Sequence, residues 1–214
     1  MYNFAMEKSK KRFFTSVFVQ DIFAKPLARI LISLNCNPNL ITGFGLLMSF
    51  IACYFFIYDL PIIGSGLFFI SLVLDSTDGR VARGLNLFSD FGAKLDSFSD
   101  KIRSFVVSFV IIFSNTSSIY LASLIYCYVQ ILPIYRFFFY DYSQDERDPV
   151  QIFWESTSIK DWLDKNNLVG IYNGWERAII VCVISPLTPK PLITIFVAII
   201  IEQALFFAGL YKKK

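Results

Sequence analysis

Histidine does not occur in this 214-residue chain. Its absence excludes an imidazole general base, a histidine-ligated zinc or iron centre, and a serine–histidine–aspartate triad. Proton transfer near neutral pH is left to carboxylates, lysine, tyrosine or cysteine. Cysteine is scarce and scattered. Cys36, Cys53, Cys127 and Cys182 form no CxxC pair, and three of them lie in apolar segments, where a thiol acts as a small hydrophobe. Neither a disulfide framework nor a thiolate metal centre is expected. Long basic tracts are missing too. The clusters at Lys8, Lys10, Lys11 and Arg12 and at Lys212 to Lys214 suffice to set membrane topology and hold anionic headgroups, and nucleic acid is not implied. No internal repeat or low-complexity region is visible.

What the chain has in quantity is apolar material: 55% hydrophobic residues, 24 of them Phe, with mean hydropathy +0.54. A soluble domain of this size rarely carries so much, and here it is concentrated in runs. The expected class is an all-α integral membrane protein in a single domain, residues 1–214. The basic segment MYNFAMEKSKKRFF lacks a clean apolar core and a small-residue cleavage site, so it reads as a retained cytoplasmic tail. Residues 17 to 34 place Val17, Phe18, Ile22, Phe23, Leu27, Ile30, Leu31 and Leu34 at helical intervals. They predict an amphipathic helix on the membrane surface, bent near Pro26. Residues 1–37 thus form the tail and interfacial helix, and 38–214 a bundle.

Six transmembrane helices are expected, at about 39–58, 61–83, 90–113, 118–140, 168–187 and 191–211. The polar stretch 141–167, with Trp154 and Trp162, reads as a solvated interfacial loop. Charge supports the count. With the amino terminus inside, Lys190 alone among the 20 Lys and Arg falls in an outer loop, as the positive-inside rule requires.

Against this background stand four aspartates, Asp75, Asp78, Asp96 and Asp100. Carboxylates beside hydrocarbon are expensive and persist mainly where they face a polar cavity or an ion. Asp75 and Asp78 are three apart and Asp96 and Asp100 four apart, so each pair shares a helix face. Two such faces make an all-oxygen cage for a hard divalent cation. The charge pattern puts all four at the cytoplasmic ends of spans two and three. Asp90 is expected to cap the helix opening span three; Asp21 and Asp59 carry no special role.

The full pattern is Asp75-x2-Asp78-Gly79-x2-Ala82-Arg83-x8-Gly92-x3-Asp96-x3-Asp100. It resembles the signature of the CDP-alcohol phosphotransferases, with every position filled and every spacing kept. The run Pro38-Asn39-Leu40-Ile41-Thr42 entering span one is also similar to that family. The resemblance implies Asp75, Asp78, Asp96 and Asp100 at a site for Mg²⁺ or Mn²⁺ (two ions), with Asp100 the general base and Asp96 also in the catalytic set. It implies Gly79, Ala82, Arg83, Gly92 and Thr42 as contacts of a cytidine-diphosphate group. It further implies a CDP-linked donor such as CDP-diacylglycerol, a small alcohol acceptor, a homodimer, and a bacterial or archaeal inner membrane with the site on the cytoplasmic face.

The residue chemistry agrees with this. Small side chains let a nucleotide approach the helices, Arg83 offers a bidentate phosphate donor, and an alcohol needs a base or a metal to become nucleophilic. Arg136 and Arg177 sit near the cytoplasmic ends of spans four and five, and Glu202 deep in span six. Snorkelling accounts for the arginines and a helix–helix hydrogen bond for Glu202; the sharper reading sets all three in an acceptor pocket. Two other functions stay open at this point. One is a transferase in which a soluble CDP-alcohol donates to a lipid acceptor. The other is an ion-binding transporter or channel, which leaves the glycines, Ala82 and Arg83 unexplained and shows no broken-helix repeat.

Overall fold

A computed structural model of the chain describes residues 12–13, 22–139, 149–166, 168–171 and 174–213, with the side chains of 12–13, 130–139, 174–175 and 212–213 outside that set. Val17 and Phe18 of the expected surface helix lie outside the described residues. A π turn at 22–24 leads into helix α1 (Lys25–Ser33). Pro26 lies in its first turn, so it opens this helix rather than bending it, because the missing N–H would be unpaired there anyway. Ala28 packs with Ile41 and Val81, and a Cβ on Gly84 would overlap the Ile32 side chain.

Helix α2 (Pro38–Ile57) starts at Pro38, with the Asn37 side chain accepting a hydrogen bond from the Asn39 N–H at 2.9 Å. Two stripes run along it. Thr42, Gly45, Ser49, Ala52 and Phe56 are buried, while Leu40, Phe44, Leu47, Phe50, Tyr54 and Ile57 are exposed. Both recur at three- and four-residue steps, so one face meets the bundle and the other suits lipid. The small inward residues allow close approach. A Cβ on Gly45 would lie 3.4 Å from Leu74 Cβ and 3.5 Å from the Ser71 carbonyl. Asp59, with φ 58°, makes the left-handed turn into α3 (Pro61–Leu85), which ends at Asn86, φ 53°. Asparagine and aspartate tolerate that conformation better than most residues.

Helix α4 (Asp90–Thr116) is capped by Ser89, whose hydroxyl accepts from the Gly92 N–H at 3.0 Å. Ser89 therefore takes the capping role expected of Asp90, which occupies the first turn. Helix α5 (Ile119–Phe139) follows. The core joins Ala52, Phe68, Leu72, Ile111, Ile125 and Ile199 from α2 through α5 and the last helix.

Two expectations fail after this point. Part of the predicted solvated loop is packed helix: α6 (Pro149–Glu155) and α7 (Lys160–Lys165) bury Val150, Ile152 and Leu163. Val150 joins Phe206 in a separate apolar cluster that includes Trp154. The predicted fifth span is broken. Its start is strand β2 (Leu168–Gly170), parallel to β1 (Arg12–Phe13), so the described fold is not purely helical. It continues as α8 (Gly174–Ile179), a π-helical stretch Ile180–Ile184 and a 3₁₀ turn Ser185–Leu187. Gly170 gives the strand space against the Trp154 ring. A helical run from Gly174 to Leu187 covers only about 21 Å at 1.5 Å per residue, short of the ~30 Å hydrocarbon layer. Helix α9 (Pro191–Lys213) closes the described fold.

Among the described residues, three helices are long and apolar enough to cross a membrane: Pro38–Ile57, Pro61–Leu85 and Pro191–Tyr211. The described residues are thus mainly helical with three candidate spans, and the six expected are not confirmed. Helix α4 carries six charged residues in its first half, and α5 is described with side chains only to Val129.

Candidate active site

Helix α3 presents Asp75 and Asp78 on the face turned toward α4, which contributes Asp96 and Asp100. Asp78 is buried at 4% exposure, and both its oxygens are held. Buried Thr42 donates its hydroxyl proton to Oδ2, and the Gly79 N–H donates to Oδ1 at 2.5 Å. One carboxylate oxygen from each of Asp75, Asp78 and Asp96 lies within 4.8 Å of the others. Ligand oxygens of an octahedral ion at ~2.1 Å are about 3.0 Å apart when adjacent and about 4.2 Å when opposite, so the set would close on an ion by side-chain rotation. All-oxygen donors suit Mg²⁺ or Mn²⁺. Asp75 Oδ1 is buried, and the charge facing it within the protein is the Arg103 guanidinium, Nη1 at 2.8 Å. The three carboxylates fit a divalent metal.

Asp100 is set apart from them. It is not in the three-carboxylate group; its Oδ1 accepts a hydrogen bond from Arg103 Nη1 at 3.1 Å. The same Nη1 forms an ion pair with Asp75 Oδ1 at 2.8 Å. The Arg103 side chain is 3% exposed and that of Asp100 55%. A buried guanidinium therefore ties the metal group to an accessible carboxylate one turn away. Arg103 is not among the site residues expected from the sequence. The signal was present: Asp96, Asp100 and Arg103 follow at steps of four and three, on one helix face.

Two cavities are lined by the aspartates, two in each. One, of ≈ 190 Å³, lies among α2, α3 and α4 and is lined by Thr42, Asp78, Gly79, Ala82, Arg83, Gly92 and Asp96. All five residues expected at a nucleotide share this one space. A Cβ on Gly92 would come 3.0 Å from Asn39 Oδ1 and 3.1 Å from Ser89 Oγ, so a side chain there would press on the cap of α4. The other cavity, of ≈ 270 Å³, lies among α3, α4, α5 and the segment 177–182, with Asp75, Asp100, Arg103 and Arg177 among its walls. Val181 and Cys182 reach it from the π-helical stretch, a kind of helix distortion frequent at functional sites.

The three residues expected at an acceptor separate. Arg177 lines the second cavity. Glu202, 2% exposed, sits behind it, with its Oε2 3.3 Å from Arg177 Nε; it braces the arginine and is not among the lining residues. Arg136 lies on α5, with its side chain outside the described residues.

The sequence profile of the CDP-alcohol phosphatidyltransferases matches residues 35–160. That stretch holds the aspartates, Thr42 and the whole first cavity. The chain belongs to the CDP-alcohol phosphatidyltransferase family. Curated relatives carry different names within it. The chain is 37% identical over 73 residues to a CDP-diacylglycerol–serine O-phosphatidyltransferase of Methanocaldococcus jannaschii, covering 33% of this chain and 36% of that one. It is 36% identical over 81 residues to the archaetidylinositol phosphate synthase of Pyrococcus horikoshii, covering 36% and 43% respectively. It is 38% identical over 64 residues to the human CDP-diacylglycerol–inositol 3-phosphatidyltransferase, covering 30% of each chain. The match thus spans well under half the length of these relatives, and no solved structure matches the chain.

Proposed function

We propose that this family member is a metal-dependent membrane transferase. It moves a substituted phosphoryl group from a CDP-linked donor, CDP-diacylglycerol, to the hydroxyl of a small polar alcohol. The observation that carries this reading is a pair of cavities, each with two of the four aspartates in its lining. A transfer between two substrates needs two sites meeting at the reacting atoms, held in a near-attack arrangement. A permeation path would have no use for Gly79, Ala82, Arg83 and Gly92 lining one of them.

In this reading the cytidine-diphosphate part enters between α2, α3 and α4, close to the backbone at Gly79 and Gly92, with Arg83 on a phosphate. The alcohol enters from the side of Asp100 and Arg103. Asp75, Asp78 and Asp96 would hold Mg²⁺ or Mn²⁺, which neutralises charge on the diphosphate oxygens. Asp100, the accessible carboxylate, accepts the hydroxyl proton as the alcohol oxygen bonds to the phosphorus bearing the lipid. The bond from that phosphorus to the bridging oxygen breaks, and CMP leaves with the oxygen. Arg103 holds Asp100 at the cavity wall. The full reading includes six spans with the aspartates on the cytoplasmic side, and lipid or a second copy covering the exposed stripe of α2.

Asp100→Asn tests the assignment. Turnover is expected to fall at least 100-fold, in line with loss of a general base, while CDP binding stays within threefold of wild type. Activity near wild type in this variant would remove Asp100 from the proton transfer.

A further inference from the structure

Arg103 is a cation built into the carboxylate cluster. Its Nη1 lies 2.8 Å from Asp75 Oδ1 and 3.1 Å from Asp100 Oδ1, so one guanidinium nitrogen bridges two acids on different helices. The side chain is 3% exposed. Its far edge is closed off by α2: a Cβ on Gly45 would lie 3.8 Å from Nη2, and Nε and Nη2 are buried without a hydrogen-bond partner. The group therefore offers nothing to a ligand on that edge. What it supplies is a fixed positive charge between Asp75 and Asp100. A buried charge that loses its partners is strongly destabilising, which holds the guanidinium to these two carboxylates.

Four carboxylates hold two ions only by sharing. Asp75, Asp78 and Asp96 each bring an oxygen within 4.8 Å of the others and make one position, and Asp100 lies outside that group. A second ion would have to draw on Asp100 together with Asp75, the pair that Arg103 already bridges. Bonded to those same oxygens at ~2.1 Å, it would stand within about 5 Å of Nη1, at a buried spot where like charges are little screened. One divalent ion and the guanidinium come close to balancing the four carboxylates; a second ion would overshoot. Resting on the metal-dependent transfer reading, we infer that the site takes a single divalent ion, at Asp75, Asp78 and Asp96. The Arg103 guanidinium stands in the place of the second ion that the family resemblance implies. It is a positioning residue: it fixes Asp75 at the edge of the ion site and Asp100 at the cavity of ≈ 270 Å³, whose lining includes all three side chains.

The test counts Mn²⁺ on the full chain in nanodiscs of a zwitterionic lipid, by calorimetry and electron paramagnetic resonance, without CDP and with CDP at saturation. Wild type is expected to bind one Mn²⁺ per chain in both conditions, with the spectrum of an isolated ion. Arg103→Ala clears the bridging position, so it is expected to bind two, with the spectral coupling of a Mn²⁺ pair ~3.5–4 Å apart. Arg103→Lys keeps a point charge and is expected to stay at one. An arginine with a merely structural role would change the stability of these variants and leave the count alone. Should Arg103→Ala fail to fold, Arg103→Gln removes the same charge and is held to the same count, and the wild-type count remains a test by itself. Two Mn²⁺ on wild type, or one on the folded neutral variant, would overturn the inference while leaving the transferase reading intact. No Mn²⁺ on wild type, with CDP or without it, would remove the metal-dependent reading itself.

Discussion

Thr42→Val isolates a single hydrogen bond at the metal-facing group. Thr42 and Asp78 are each 4% exposed, so water cannot readily replace what the substitution removes. The hydroxyl has one proton and two acceptors in reach, Asp78 Oδ2 and the Pro38 carbonyl at 3.2 Å. The ionised oxygen is the stronger acceptor. Valine keeps the shape and removes the donor. Hydrogen bonds to charged groups contribute about 1.5–3 kcal/mol, and 1.4 kcal/mol is tenfold in rate or affinity. The lost bond corresponds to a roughly tenfold to hundredfold fall in kcat/KM for CMP release, with more Mg²⁺ needed for half-maximal rate. The Gly79 N–H still holds the other oxygen, which keeps the loss below that of removing the carboxylate. The assay is CMP release across a Mg²⁺ series in matched vesicles, with folding checked by thermal unfolding. A variant with wild-type stability, wild-type rate and unchanged Mg²⁺ dependence would refute the claim that Thr42 orients Asp78 for a cation.

Other outcomes follow from the same geometry. Asp78→Asn removes a charge from the three-carboxylate group, so Mg²⁺ affinity measured by calorimetry should fall at least tenfold; unaltered affinity would take Asp78 out of the ligand set. Gly209→Ala tests the docking of α6 on α9, because the added methyl would overlap the Pro149 carbonyl. Helix propensity favours alanine by about 1 kcal/mol, but the obstacle is backbone, and forced overpacking costs roughly 1–3 kcal/mol. A fall in Tm of a few degrees is expected, and an unchanged or higher Tm would contradict that packing.

Much of the site was legible because its chemistry is written in local spacing. Asp75 and Asp78, and Asp96 and Asp100, share faces by helical period alone, and Gly79, Ala82, Arg83 and Gly92 line one cavity as expected. The ends of α2 and α3 were equally readable, since Pro38 and Pro61 mark their first turns. What escaped depends on contacts between distant segments. The pairing of Arg12 with Leu168 and the seat of Val150 on Phe206 leave no periodic trace in either partner. The run from Ile179 to Ile184 is apolar enough to read as a span, but its β-branched residues adopt a π-helical stretch that ends in a 3₁₀ turn holding Pro186. Arg103 was passed over because a basic residue at a membrane interface has an ordinary explanation; only its burial and unpaired donors distinguish it.

The central claim, transfer of the phosphorus that bears the lipid, is tested most directly by donor labelled at that phosphorus. With CDP-diacylglycerol, Mg²⁺ and an accepted alcohol, the label should appear wholly in a new phosphodiester lipid, in step with unlabelled CMP and only when alcohol and metal are both present. Label released as phosphatidic acid irrespective of the alcohol, or no cleavage in any combination, would contradict the account.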